Sequence, residues 1–274
     1  MINLKPLTRK IFYWDNIVNN KHLVSRAALQ ALRPNVVQRY VAYGQRINPN
    51  TLELIPASPF LSPLDGLLED CYSNSSQLSV LKTRILEKQS DLLRGECQYC
   101  NIGEPDTFDH YLPQHYFPEY SALSINLFPC CSRCNTEKGR EWLLLGVRKV
   151  INFYYDPLPT VSFLNCQIIY RKGVPRAVFS IDEMAIPVGI RQLVVNHFDT
   201  LDLFTRYKKR SNSEITDVLD SIISQAGLMT RMKIQNDLRV EAANTKLSKG
   251  QNYWRAVLKI ALSNSVPFLV SAGF

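Results

Sequence analysis

No stretch of the 274 residues approaches the ~18 uninterrupted apolar residues that a membrane helix requires. Lys5, Arg9 and Lys10 open the chain, but Asp15, Asn16 and Asn19 interrupt the next stretch and no small-residue cleavage pattern is present, so no secretory leader is expected. Internal repeats and low-complexity tracts are missing too, and 11 glycines and 15 prolines are too few for a collagen-like or Gly/Pro-rich disordered chain. No Gly-x-x-x-x-Gly-Lys-Ser/Thr loop occurs, so any nucleotide-driven step needs a separate subunit. Together these absences predict a cytoplasmic protein without a membrane partner.

The composition is that of a globular chain. With 46% hydrophobic and 20% charged residues there is apolar area for a real core, and at roughly 100–200 residues per domain the length allows one large domain or two modest ones. The 32 Lys and Arg outnumber the 24 Asp and Glu, a formal charge of +8, so a large partner should be anionic and nucleic acid comes first.

Seven cysteines are an odd number for a disulfide framework, and they are clustered rather than spread. Cys97, Cys100, Cys130, Cys131 and Cys134 crowd one short segment, whereas Cys71 and Cys166 stand alone and read as small buried apolar residues. Cys97-x-x-Cys100 and Cys131-x-x-Cys134 are two pairs of the spacing that lets both thiolates face one ion, and two such turns complete a tetrahedral zinc site. Four thiolates leave no open position, so this zinc is expected to be structural. Cys130 lacks the two-residue gap and reads as a packing residue. A redox dithiol is the competing reading of a single pair.

Before this segment the spacing predicts helices over Leu23–Leu32 and Val36–Tyr43, with Pro34 opening the second, and a longer helix from Ser76, capped by Ser75 or Ser76 and ended by Gly95. After it, Val161–Tyr170 and Arg176–Ile181 read as a hairpin broken at Lys172-Gly173-Val174-Pro175. Helices are expected over Ser213–Ala226, Leu228–Asn244 and Asn252–Leu262, and the run from Arg206 to Arg210 reads as a solvated helix end or a phosphate-binding patch. The fold class is α+β, divided as a helical region 1–94, a zinc-stapled core 95–146, and a hairpin-plus-helical region 147–274.

Between the cysteine pairs lies Asp109-His110. On a strand, neighbours face opposite ways, so one can hold a metal while the other works on a water; alone, such a pair reads better as a surface loop. The ordered set Cys97-x-x-Cys100, Asp109-His110-x-x-Pro113, Asn126-Leu127-x-Pro129 and Cys131-x-x-Cys134-Asn135-x-x-Lys138-Gly139 resembles the HNH, or ββα-metal, endonucleases, from about Glu96 to Arg140. The resemblance implies a zinc-stabilised ββα centre in which His110 is the general base on a phosphodiester and Asp109 a ligand of the catalytic metal. It also implies that Asn126 braces the loop bearing the histidine and that Asn135 occupies the third family position, where the namesake pattern has His. Asp109 and Asn135 offer hard oxygens, which suit Mg²⁺ or Mn²⁺.

Lys138, three residues beyond Asn135, and Arg140 are expected to contact phosphate, His115 less so; Tyr111, Tyr116, Phe117 and Tyr120 are expected to pack the core. The core segment carries more acidic than basic residues, so the basic helical flank 1–90 is expected to supply backbone contacts or to dock a partner protein. The wording of residues 109–129 is similar to nuclease subunits of Septu-type antiphage systems, which work beside an ATPase. These readings predict a DNA endonuclease in antiphage defence. An RNA (tRNA) nuclease of the same fold and a non-catalytic zinc-stapled binding module are the alternatives.

Overall fold

A computed structural model describes residues 1–8, 10–47, 50–73 and 75–274. The described residues form an α+β protein, helices accompanied by three two-stranded antiparallel sheets. Contacts gather the chain into two compact units, one of Asn3–Pro157 and one of Met1–Ile2 with Leu158–Phe274. The stretches 1–94 and 95–146 fall almost wholly in the first unit, because the N-terminal helices and the cysteine-rich segment share one core.

In the first unit, α1 (Lys10–Asn19) and α2 (Leu23–Ile47) pack together, followed by α3 (Asp65–Glu69), α4 (Ser76–Glu87) and α5 (Asp91–Arg94). α2 is a single helix, not the two expected around Pro34. Leu29, Val36, Tyr40, Tyr43 and Ile47 form one continuous buried stripe, and burial of that stripe outweighs the hydrogen bond Pro34 cannot make. Pro34 and Gln30 are both exposed, so water can satisfy the carbonyl left over. The Ser75 hydroxyl caps α4 by accepting from Leu78 N. That helix stops at Glu87 rather than at Gly95, because the Gln89 side chain is buried and bonds both backbone groups of Lys5 and the carbonyl of Ile85.

Next come β1 (Thr107–His110), β2 (Leu127–Cys130) and α6 (Ser132–Lys138), then β3 (Leu143–Leu144) and β4 (Val147–Arg148). β1 pairs antiparallel with β2, placing Asp109 opposite Phe128 and His110 opposite Leu127. Phe128 packs on Tyr99, Tyr111 and Tyr154, with ring centroids 5.9, 5.5 and 4.5 Å away. Tyr111, Phe117 and Tyr120 are buried as expected, whereas Tyr116 is exposed.

The second unit holds β5 (Leu164–Arg171), β6 (Val174–Ile181), α7 (Val188–Thr200), α8 (Leu203–Ile223), α9 (Arg231–Lys249), α10 (Trp254–Asn264) and α11 (Val266–Ser271). The first strand starts later than expected, at Leu164, and the turn is tighter: Arg171 pairs with Val174, so Lys172-Gly173 alone make it. Both have positive φ, 52° and 77°, as a two-residue type I′ turn requires. Val174 and Pro175 therefore belong to the strand, where the missing Pro175 N–H costs nothing at the edge. α8 begins at Leu203, so the run Arg206–Arg210 lies inside a helix and not at its end. The core gathers Phe179 of β6, Tyr207 of α8 and Trp254 of α10, the last two stacked at 5.4 Å.

Candidate functional site

The antiparallel pair β1–β2 followed by α6 brings the residues singled out above to one cleft of about 530 Å³. Asp109, His110, His115, Asn135 and Arg140 line it, joined by Tyr72 and Lys82 from the N-terminal helices.

His110, the last residue of β1, is half-buried. Its Nε2 lies 2.9 Å from the carbonyl of Ser121, which can only accept, so Nε2 carries the proton and Nδ1 keeps its lone pair. The ring of Tyr72 meets the imidazole edge-to-face at 4.3 Å. Burial lowers the His110 pKa to about 4, so the ring is neutral at pH 7.

Asn126 is fully buried and holds the loop that carries Ser121. Its Nδ2 donates to the carbonyls of Leu112 (3.0 Å) and Tyr120 (3.2 Å), and its Oδ1 accepts from Leu112 N (2.8 Å) and Tyr43 Oη (3.4 Å). One amide thereby ties both ends of residues 112–120 and fixes the carbonyl against which His110 is oriented. Asn126→Ala would leave several of these buried groups unpaired, each worth about 1–3 kcal/mol. A loss of about 3 kcal/mol or more is expected in thermal denaturation, and an unchanged midpoint would show that the loop keeps its shape without the amide.

Asp109 points the other way from His110 and is buried. Its Oδ2 accepts from Tyr99 Oη and its Oδ1 from Lys138 Nζ, both at 2.8 Å. Lys138 also donates to the carbonyl of His110 at 2.7 Å and is 1% exposed. The expectation that Lys138 contacts substrate phosphate is therefore corrected: an unpaired carboxylate is costly in this core, and α6 folds back on β1 to neutralise it. Asn135, on the same helix, is half-buried; its Nδ2 donates to Thr107 Oγ1 at 3.5 Å, which leaves Oδ1 uncommitted in that bond. Gly139 ends α6 at φ 62°, and Arg140 beyond it is exposed at the cleft.

The helical flank contributes less charge to the cleft than expected. Lys21, Arg33, Arg39 and Arg84 are engaged by Asp70, Asp15, Glu119 and Glu87. Lys82 is the flank's cation at the cleft, its Nζ 4.3 Å from the centroid of the Tyr72 ring. Burial lowers its pKa, so a nearby anion would be a welcome counter-charge. Sequence reasoning passed over Lys82 and Tyr72, which lie outside every motif and have no local mark.

Cys97, Cys100, Cys131 and Cys134 form a buried group whose sulfurs all lie within 4.8 Å of one another. Cys100 and Cys131 are 3.8 Å apart, matching the ~3.8 Å edge of a tetrahedron with Zn–S of ~2.3 Å. Contacts within this group pull the Cys131 thiol well below the usual range and push those of Cys97 and Cys134 above it, as expected of four thiols crowded together. The four cysteines therefore fit zinc. Cys130 is buried on β2 and stays outside the group, as does Cys71.

Over 222 residues the chain is 29% identical to Protein ea31 of Escherichia phage lambda, an alignment covering 73% of each chain. No family model matches the chain, and no solved structure matches it.

Proposed function

We propose that the chain is a metal-dependent endonuclease of the HNH type that hydrolyses phosphodiester bonds in DNA. The observation that carries this reading is the state of His110: a neutral imidazole with Nε2 spent on the Ser121 carbonyl and Nδ1 left as acceptor, at a cleft shared with Asp109 and Asn135. Such a ring can take a proton from a water placed at Nδ1 while the Ser121 carbonyl stabilises the imidazolium that forms. Asn126 keeps that carbonyl in place. Lys82 and Arg140, which both line the cleft, offer positive charge to the phosphate.

Asp109 and Asn135 would hold Mg²⁺ or Mn²⁺. The donor set fits, since a carboxylate offers about four lone-pair sites and the bonds from Tyr99 and Lys138 leave others open, with the Asn135 amide oxygen as a second hard donor. A bound divalent ion supplies charge stabilisation to the phosphate and the leaving oxygen. Zinc at the four cysteines serves the fold. The finer placement, an effector beside an ATPase in antiphage defence, rests on the wording of residues 109–129 alone.

The test is digestion of plasmid DNA and of total RNA by the purified chain in Mg²⁺, in Mn²⁺ and in a chelator. Nicked or linear plasmid in either metal, and none in the chelator, is the expected result. Degradation of RNA alone would move the substrate to the RNA reading. Tight binding with no cut in any metal would favour the non-catalytic module.

A further inference from the structure

The unit of Leu158–Phe274 contains 15 Lys and Arg against 9 Asp and Glu, and thus holds most of the chain's excess positive charge. Helical periodicity splits its most basic run in two. Arg206 and Tyr207 turn inward, Arg206 donating to the carbonyl of Leu201, while Lys208 and Lys209 are exposed. Thr205, Lys208, Lys209 and Asn212 fall at the i, i+3, i+4, i+7 positions of α8 and so share one face. With Arg176 of β6, against which α8 packs, they line a cleft of about 240 Å³.

No carboxylate lines this cleft. Among the described residues, Arg176, Lys208 and Lys209 form no ion pair, whereas exposed cations such as Arg33, Arg84 and Lys233 are each held by a carboxylate. Three like charges brought together without a counter-ion repel one another, a cost that an anionic ligand removes. Thr205 and Asn212 add neutral groups able to bond phosphate oxygens. The α8 stripe is about 10 Å long, comparable to the rise of about three phosphates along one strand. No aromatic ring lines the cleft, so nothing in it would stack on a base.

We propose that this cleft on α8 and β6 grips the phosphodiester backbone of nucleic acid, independently of sequence. The choice of occupant rests on the phosphodiesterase reading above; the anion-binding chemistry does not. The hairpin tip extends the same charge, since Arg171 and Lys172 are exposed and residues 158–181 include no Asp or Glu.

The experiment is fluorescence anisotropy of the zinc-loaded full chain with a labelled duplex of about 30 base pairs, across a salt series and without added Mg²⁺. The triple variant Arg176→Ala, Lys208→Ala, Lys209→Ala is compared with the charge-matched Arg33→Ala, Arg84→Ala, Lys233→Ala. Loss of three phosphate contacts should lower the slope of log K against log salt by about 2.7 and weaken binding at least about tenfold near physiological salt, with an unchanged melting temperature. The charge-matched variant should stay close to wild type. Equal weakening of both triples, or no binding by wild type at low salt, would overturn the cleft. Binding lost in the first triple while wild type cuts nothing in any metal would uphold the cleft and remove the nuclease reading. Cleavage by wild type with binding unchanged in the first triple would do the reverse. An RNA probe in parallel distinguishes the two sources of backbone.

Discussion

His110→Ala is expected to lower DNA cleavage by about 10²–10⁴-fold, leaving zinc content and melting temperature close to wild type. The side chain's contacts with the fold are one hydrogen bond to Ser121 O and an edge contact with Tyr72, which also lines the cleft. A net hydrogen bond of this kind is worth about 1 kcal/mol, too little to unfold a domain. Chemistry is a different matter, because the Ser121 bond leaves Nδ1 as the ring's proton acceptor, whereas the neighbouring Asp109 faces the other way and is engaged by Lys138 and Tyr99. Plasmid nicking measured with and without added imidazole checks the assignment. Partial rescue by imidazole would identify the lost group as a proton acceptor, and undiminished cutting by the variant would remove His110 from the reaction.

Cys100→Ser should have the larger effect on the fold. Structural zinc sites contribute about 10–16 kcal/mol of apparent binding energy at neutral pH, as much as or more than the ~5–15 kcal/mol that holds a domain folded. Cys100 and Cys97 lie on the turn before β1, and Cys131 and Cys134 flank the start of α6, so a zinc held by them would clasp the two ends of the segment bearing Asp109, His110 and Asn126. Without it the unit of Asn3–Pro157 is expected to lose its cooperative transition, and with it any cleavage. Cys130→Ser is the internal comparison, since Cys130 is as buried but lies outside the sulfur group. It should keep a full equivalent of zinc and lose only about 1–3 kcal/mol for a buried hydroxyl. Zinc retained by Cys100→Ser, or lost by Cys130→Ser, would overturn the assignment of the four ligands.

The cysteine group was legible in the sequence because ligand spacing is a local property: two residues between thiols set which pairs can share an ion, and Cys131 rather than Cys130 followed from that alone. The α+β class, the hairpin and the Ser75 cap were legible for the same reason, each depending on neighbours along the chain. Pro34 was misleading because its local preference was outweighed by a buried stripe running the length of α2, which only packing defines. Lys138 shows the limit most clearly. Its spacing from Asn135 placed it on the right face of α6, but whether that face met solvent or the Asp109 carboxylate depended on how α6 folds onto β1. The contribution of Lys82 and Tyr72 likewise waits on the chain's return across about thirty residues. Sequence by itself determined the four-cysteine group and the α+β class, because these are carried by residue identity and short spacing. Tertiary structure decided which charges are spent on one another and which remain at a surface, because pairing between distant side chains has no local signal.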